Sequence, residues 1–284
     1  MSYKIDHILI PVNFTNASIS GLKFGIQVAK NLNAKLSIFH VMNIPQPVGG
    51  LPLYIEDEND PSGFSAEINQ KFKEIESEYL VGQGVKYEFR FKLGYLETRL
   101  SAFVENEKVD LIILGRKEPS GFMSFFRINV TRMLDRVGCP SIVIPESYSG
   151  GFPFNNACIS CDFSKKNDKK ILQASSSIID ILSRHQILLS VTENSTVKKI
   201  QEEREKVMNI LSKNLPDLEY LEIPNRPGDL VSRLIINKVI DLGGDLIIVF
   251  PGKHFYSGPF SETFSKQMLK NKSIPVVIIN SHIS

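Results

Sequence analysis

One feature limits the fold more than any other: the 284-residue chain repeats itself at about half its length. The first half opens with Ile8-Leu9-Ile10-Pro11-Val12-Asn13-Phe14-Thr15, and the second with Ala157-Cys158-Ile159-Ser160-Cys161-Asp162-Phe163-Ser164. Each is an apolar run ending in Asn or Asp, then Phe, then a hydroxyl residue. Val109-Asp110-Leu111-Ile112-Ile113-Leu114 returns as Gly244-Asp245-Leu246-Ile247-Ile248-Val249. Cys139-Pro140-Ser141-Ile142-Val143-Ile144 returns as Ile274-Pro275-Val276-Val277-Ile278-Ile279. Asp110 to Asp245 and Pro140 to Pro275 are each 135 residues apart, whereas Asn13 to Asp162 is 149. The extra 14 residues belong to the first half, at 43–65, a stretch rich in Pro, Gly and acidic residues that reads as a loop or flap. A duplication of this size predicts two similar domains, each long enough for its own core. They span residues 1–147 and 155–284, with a linker at about 148–154 that contains Gly150, Gly151 and Pro153.

Within each half, short β-rich runs alternate with helical patterns. In the first half, strands are expected at 8–12, 36–41, 87–91, 111–114 and 141–144. Helices are expected at 18–31, 67–80, 96–106 and 131–137. The second half repeats the plan, with helices at 168–182, 197–211 and 230–242 and strands at 187–191, 218–223, 246–250 and 276–280. Strands of continuous Ile, Leu and Val separated by helices indicate a parallel sheet buried on both faces. The expected fold class is therefore α/β: two similar doubly wound domains, each with a mainly parallel five-stranded sheet flanked by helices. Such sheets bind ligands beyond the carboxyl ends of their strands. That rule singles out Asn13, His40, Val41, Gly94 and the residues from Gly115 onward, with Asp162, Ser190, Val191, Gly228 and the residues after Phe250 in the second half.

Composition excludes several classes. Lys+Arg total 33 and Asp+Glu 31, so neither the balance nor the short clusters Lys165-Lys166 and Lys169-Lys170 point to nucleic acid. No apolar run approaches the roughly 18 residues of a membrane span, and no secretory signal is visible, so a cytoplasmic protein is expected. Cys139, Cys158 and Cys161 are too few for a disulfide scaffold. Cys158 and Cys161 stand three apart in an apolar run, so a strand would point them to opposite faces, as small buried residues. Histidines and cysteines lack metal-ligand spacing, and the acidic run Glu56 to Asp60 lacks that of a calcium loop.

At the strand ends the chain resembles the universal stress protein family, as a tandem of two such domains. The resemblance rests on residues 8–13, on His40-Val41, on Asp110-Leu111-Ile112-Ile113-Leu114-Gly115 and on residues 139–144, all in family order and largely duplicated. It implies domains that pair through their last strands, here 141–144 with 276–279 inside one molecule, which would cover two open sheet edges. This is an intramolecular pseudo-dimer, and a homodimer is compatible with it. Many family members bind ATP or AMP, through glycines after the fourth strand that admit phosphate to backbone N–H groups.

Against that signature, Gly115 matches. Glu118 stands at the second glycine, Ile128 at the third and Asn129 at the hydroxyl position. Glu118 places a carboxylate near phosphate, Pro119 removes a donor, and Arg116 and Lys117 offset part of the charge. Asn13 replaces the acidic residue expected after the first strand. In the second half Asp162 and Val191 match, but Phe250, Lys253, Thr263 and Phe264 occupy the signature positions. Asn13, Val41, Gly115, Arg116, Gly121 and Asn129, with Asp162, Val191, Gly252 and Lys253, are the candidate nucleotide contacts. No cofactor is expected, with ATP or AMP the alternative.

Other residues favour structural roles. His40 sits at a strand end, His7 and His185 flank strands and are expected to face solvent, and His254 lies in a loop with Lys253, Phe255 and Tyr256. Phe122, Phe125 and Phe126 are expected to pack a loop or helix onto the domain pair. No G-x-S-x-G elbow and no phosphate-loop lysine occur, and no nucleophile–base pair can be assembled. The expectation is a non-catalytic stress-response protein with degraded ATP loops, working through protein or small-ligand contacts.

Overall fold

Runs of Ile, Leu and Val that alternate between two covered faces leave the inner strands no solvated side. In the computed structural model β1 (His7–Pro11), β4 (Leu111–Arg116), β5 (Ser141–Pro145), β9 (Leu246–Val249) and β10 (Val276–Ile278) are buried along nearly their whole length. The structure describes residues 3–42, 64–117, 134, 137–164, 167–192, 197–225, 229–250, 264 and 267–279. The expected loop at 43–65 lies almost wholly outside these residues, as do Gly121, Phe122, Phe125, Phe126, Asn129, Lys165, Lys166, Gly228, Gly252, Lys253 and His254.

The remaining elements of the first half are α1 (Asn16–Leu32), β2 (Lys35–Met42), α2 (Phe64–Ile75), β3 (Lys86–Leu93) and α3 (Leu96–Glu107). Helix α2 continues into a π-helical turn, Glu76–Leu80, where Glu76 accepts a 2.6 Å bond from the Tyr87 hydroxyl. The second half adds β6 (Phe154–Ser160), α4 (Lys169–Leu182), β7 (Ser183–Thr192), α5 (Lys198–Leu211), β8 (Glu219–Pro224) and α6 (Val231–Asp241). Thr15 caps α1 by accepting from the Ser18 N–H, and Asp168 caps α4 through the Lys170 and Ile171 N–H groups.

All ten strands join one sheet in the order β3-β2-β1-β4-β5-β10-β9-β6-β7-β8. Neighbours are parallel except at the centre, where β5 and β10 pair antiparallel with Val143 opposite Val276, Ile142 opposite Val277 and Ser141 opposite Ile278. Each half thereby covers the other's open edge, as the family resemblance implies. Among the described residues, β3 and β8 remain as edges, and both carry charges, among them Lys86, Arg90 and Lys92 on β3 and Glu219 and Glu222 on β8. One face of the sheet packs against α1, α2, α4 and α5, and the other against α3 and α6 together with Leu134, Phe264 and Met268. Strand residues alternate between them: Ile8 and Ile10 meet the first face, and Leu9 meets the second.

The repeated aspartates have the same task in both halves. Asp110 Oδ2 accepts from the N–H groups of Asp6 (2.9 Å) and His7 (2.8 Å) at the start of β1. Asp245 accepts from Asn155 and Asn156, both at 2.8 Å, at the start of β6. Each carboxylate satisfies backbone donors that the parallel ladder leaves open.

The linker stretch packs onto the first half as the chain enters β6, which starts at Phe154, a fully buried residue. Phe154, Tyr148 and Phe152 surround the Phe24 ring of α1 at centroid distances of 5.3, 5.9 and 6.3 Å. Three aromatic rings outweigh the Gly-Pro composition, because leaving them in water would forfeit their burial free energy. His7 is likewise buried rather than solvent-facing, at 9% exposure. The end of α3 covers the strand end that the sequence presents as a boundary.

Candidate functional site

The strand ends in both halves are built on the same turn. Asn13 Oδ1 accepts from the Thr15 N–H (3.3 Å) and hydroxyl (2.7 Å), and Asp162 Oδ1 accepts from the Ser164 N–H (2.9 Å) and hydroxyl (2.6 Å). The repeated Asx-Phe-hydroxyl triplet is therefore a side-chain-closed turn that leads the chain out of the sheet. Phe14 holds a left-handed backbone, φ 62°, which disfavours a bulky residue. Its ring rests 4.7 Å from that of His40 and 5.7 Å from Phe72, with Lys71 Nζ 5.4 Å from its centre. Phe163 leans instead on Tyr220, 5.9 Å away, over which Arg204 lies.

His40 is half-buried at the end of β2. Its Nδ1 lies 2.8 Å from the Val12 carbonyl, which can only accept, so the ring hydrogen sits on Nδ1. Burial lowers the imidazole from its ordinary value, and the Lys71 charge adds to this, against the opposing Val12 hydrogen bond. The ring is stacked on Phe91 at 5.9 Å. It ties β1 to β2 and is part of the packing, as its strand-end position suggests.

Val41 and Val191 lie half-buried near the ends of β2 and β7. Gly115 and Arg116 belong to β4 itself, paired with Ile144 and Pro145. A Cβ on Gly115 would lie 1.6 Å from the Ala17 carbonyl oxygen, and one on Gly21 would lie 2.5 Å from the Gly115 nitrogen. These two glycines let α1 and β4 meet backbone to backbone. Arg116 does not face an anion among the described residues: its Nη2 donates to the Asn271 carbonyl of the second half. Asn271 in turn closes its own loop, donating to Met268 and Ile274 and accepting from the Ser273 and Ile274 N–H groups. Ser147 adds a bond to Lys272, so the end of β4 and β5 is clamped to the other half.

In the second half Phe250 stands where Gly115 stands in the first, and it is buried against the α4 side of the sheet. Beside the Asp162 turn, Asn167 is 2% exposed. Its N–H donates to Glu203 at 2.6 Å, its side-chain amide reaches the Asp162 carbonyl at 3.2 Å, and its own carbonyl accepts from Lys206 at 2.8 Å. The loop is thus pinned to α5. Sequence reading passed over Asn167, Asn271 and Gly21. The Asn-Asp pair ahead of α4 was the one available signal, as a cap.

The cysteines are free and buried. Cys158 faces the α3/α6 side and Cys161 the opposite one, as their spacing requires. Burial pushes all three thiols up, Cys158 to about 11, which removes thiolate reactivity near neutral pH. Among the described residues no three His, Cys, Asp or Glu side chains group to hold a metal ion, and no helix is long and apolar enough to cross a membrane.

A doubly wound parallel sheet, duplicated and fused through its last strands, with matching side-chain-closed turns at the carboxyl ends of β1 and β6, defines a tandem doubly wound α/β protein. Within that class the family model of the universal stress proteins matches residues 4–145, half of the chain, and the protein belongs to the universal stress protein family. A universal stress protein of Methanocaldococcus jannaschii is 26% identical over 145 residues, covering 49% of this chain and 81% of the relative. The crystal structure of a universal stress protein from Archaeoglobus fulgidus is similar along the whole molecule: TM-score 0.66, 13% identity, 98% of this chain and 97% of that one. A putative universal stress protein from Pseudomonas aeruginosa gives 0.56, with 13% identity over 98% and 94% of the two chains. Both structural likenesses concern the fold.

Proposed function

We propose that this is a non-catalytic tandem universal stress protein of the cytoplasm, acting in the stress response through protein or small-ligand contacts rather than ATP turnover. One observation carries the reading: the glycine that matches the family's phosphate signature is used up inside the protein. Gly115 lies under α1, within a strand that stays paired through Arg116, and Arg116 is spent on the other half. The equivalent position in the second half is a buried Phe250. Among the described residues, neither strand end offers a free, glycine-lined turn of the kind a polyphosphate needs. Asn13 and Asp162 each have an oxygen engaged in their own turn.

Titration calorimetry of the full chain with ATP, ADP and AMP plus magnesium tests the reading. No micromolar binding is expected, and no phosphate release above a protein-free blank. Micromolar affinity would overturn the degraded-loop reading in favour of a nucleotide-binding stress protein with an altered loop. Turnover would overturn the non-catalytic reading.

A further inference from the structure

The first half buries a polar row that neither its core nor its strand-end turns require. His7 on β1, Ser37 on β2 and Glu88 on β3 lie side by side at the face covered by α3. His7 Nδ1 is 3.0 Å from the Glu107 carbonyl at the end of α3, and His7 Nε2 is 2.7 Å from Ser37 Oγ. Ser37 Oγ is 2.6 Å from Glu88 Oε1. Lys35 Nζ reaches the same carboxylate oxygen at 2.7 Å, and Arg90 Nη2 reaches the other at 2.8 Å. Ser37 has no exposed surface.

Each of the three contacts along this row needs a hydrogen between its heavy atoms, because lone pairs facing each other so closely repel. The Glu107 carbonyl cannot donate, so Nδ1 carries one hydrogen. Ser37 has one hydroxyl hydrogen and can serve only one neighbour. A neutral imidazole, a hydroxyl and a carboxylate together bring two hydrogens to three contacts. The third sits either on His7 Nε2 or on Glu88. Burial acts to raise the Glu88 carboxyl, but the Lys35 and Ser37 hydrogen bonds and the Arg90 charge outweigh it and hold it at about 2.

We propose that the third proton belongs to His7, whose imidazolium forms a buried proton-linked latch from α3 through β1 and β2 to the edge strand β3, in the first half only. The charged groups around the ring are Lys35 on β2, Glu88 and Arg90 on β3, and Asp110, whose Oδ2 holds the His7 main-chain N–H. Helix α3 contributes the Glu107 carbonyl and the Phe103 ring, 6.4 Å away and edge-on.

The repeat supplies an internal control. Asp110 N–H bonds the His7 carbonyl and Asp245 N–H bonds that of Asn156, so Asn156 stands in His7's place. By strand register, Ile187 then replaces Ser37, and Glu219 replaces Glu88. Asn156 keeps a bond to the turn that follows α6, 3.3 Å to the Gly243 carbonyl, but Ile187 cannot relay a proton. Raising the pH removes a hydrogen that the first-half row needs, and Ser37 must then abandon either His7 or Glu88. The second half has nothing to lose.

Nitrogen-15 NMR of the histidine-labelled full chain near neutral pH tests the proton directly. Wild type is expected to show both His7 ring nitrogens protonated. In Glu88→Gln, whose amide can itself donate to Ser37, His7 is expected to revert to a ring with a bare Nε2. Hydrogen exchange reads the latch: from slightly acidic to slightly alkaline pH, intrinsic-rate-corrected protection of β3 amides should fall about threefold or more while that of β8 does not. Ser37→Ile, which copies the second half, should flatten that difference. A bare His7 Nε2 in wild type near neutral pH, or an equal pH response of β3 and β8, would overturn the proposal.

Discussion

Replacing Gly115 by alanine should unseat α1. The added Cβ would lie 1.6 Å from the Ala17 carbonyl oxygen, 2.5 Å from its carbon and 3.0 Å from the Gly21 nitrogen. All three are backbone atoms, so no rotamer change relieves the clash. Ordinary contact begins near 3.4 Å, so α1 and β4 must separate by almost 2 Å at this point. A gap of even 0.5–1 Å forfeits roughly a quarter to a half of each dispersion contact across it. Leu22 and the other buried residues of α1 pack across this seam. The loss therefore belongs at the upper end of overpacking effects, about 3 kcal/mol or more. For a chain of this size that corresponds to a fall in melting temperature of roughly 6 °C or more. Gly138 is the matched control: a Cβ there meets nothing within 4 Å, so Gly138→Ala should melt within about 1 °C of wild type. Thermal unfolding followed by circular dichroism compares the three proteins. If Gly115→Ala melts with wild type, the backbone-to-backbone seam is wrong. The glycine would then be free for a phosphate.

Two further outcomes follow from differences between the halves, and a third from Glu88. Ser141 buries its hydroxyl without a hydrogen-bond partner, and Val276 fills the equivalent place, so Ser141→Val should raise stability by about 1–2 kcal/mol in chemical denaturation. Lys108 ends α3 with φ 50°, a left-handed conformation that glycine takes at the matching Gly243, so Lys108→Gly should add about 0.5–1 kcal/mol by the same assay. Glu88 is held at about 2 in the fold against 4.5 as its ordinary value. A depressed carboxyl stabilises above its unfolded value and loses that contribution as pH falls through the folded one. Wild type should therefore lose melting temperature between about pH 4.5 and 2 more steeply than Glu88→Gln.

The alternation of apolar strands and amphipathic helices, and their duplication, made the doubly wound halves legible from sequence. The pairing of β5 with β10 is what the family resemblance implies, and the structure adds that it is antiparallel. Less legible was whatever depends on which backbone touches which. Composition marks 148–154 as linker, yet Tyr148, Phe152 and Phe154 bury themselves on Phe24. His7 reads as a boundary residue until the end of α3 is seen to cover it. Arg116 suggests an anion by its charge, and it donates to a carbonyl 155 residues away, a contact that no local pattern encodes. Asn167 is inconspicuous in sequence because its partners, Glu203 and Lys206, lie on the next helix.

Gly115 carries a general ambiguity. A glycine at the end of a strand answers two demands that sequence cannot separate: room for a ligand's phosphate and room for a helix backbone. In this protein the second demand is visible from both sides, because Gly21 supplies the complementary gap in α1. The second half does without the close approach and fills the same point with Phe250, while still completing its sheet. The fold as a whole therefore does not require glycine there. The first half requires it only because α1 sits so close, and that seating leaves Gly115 occupied by protein. The Ala17 backbone already accounts for a glycine at position 115, so the signature match there is no separate evidence for a nucleotide.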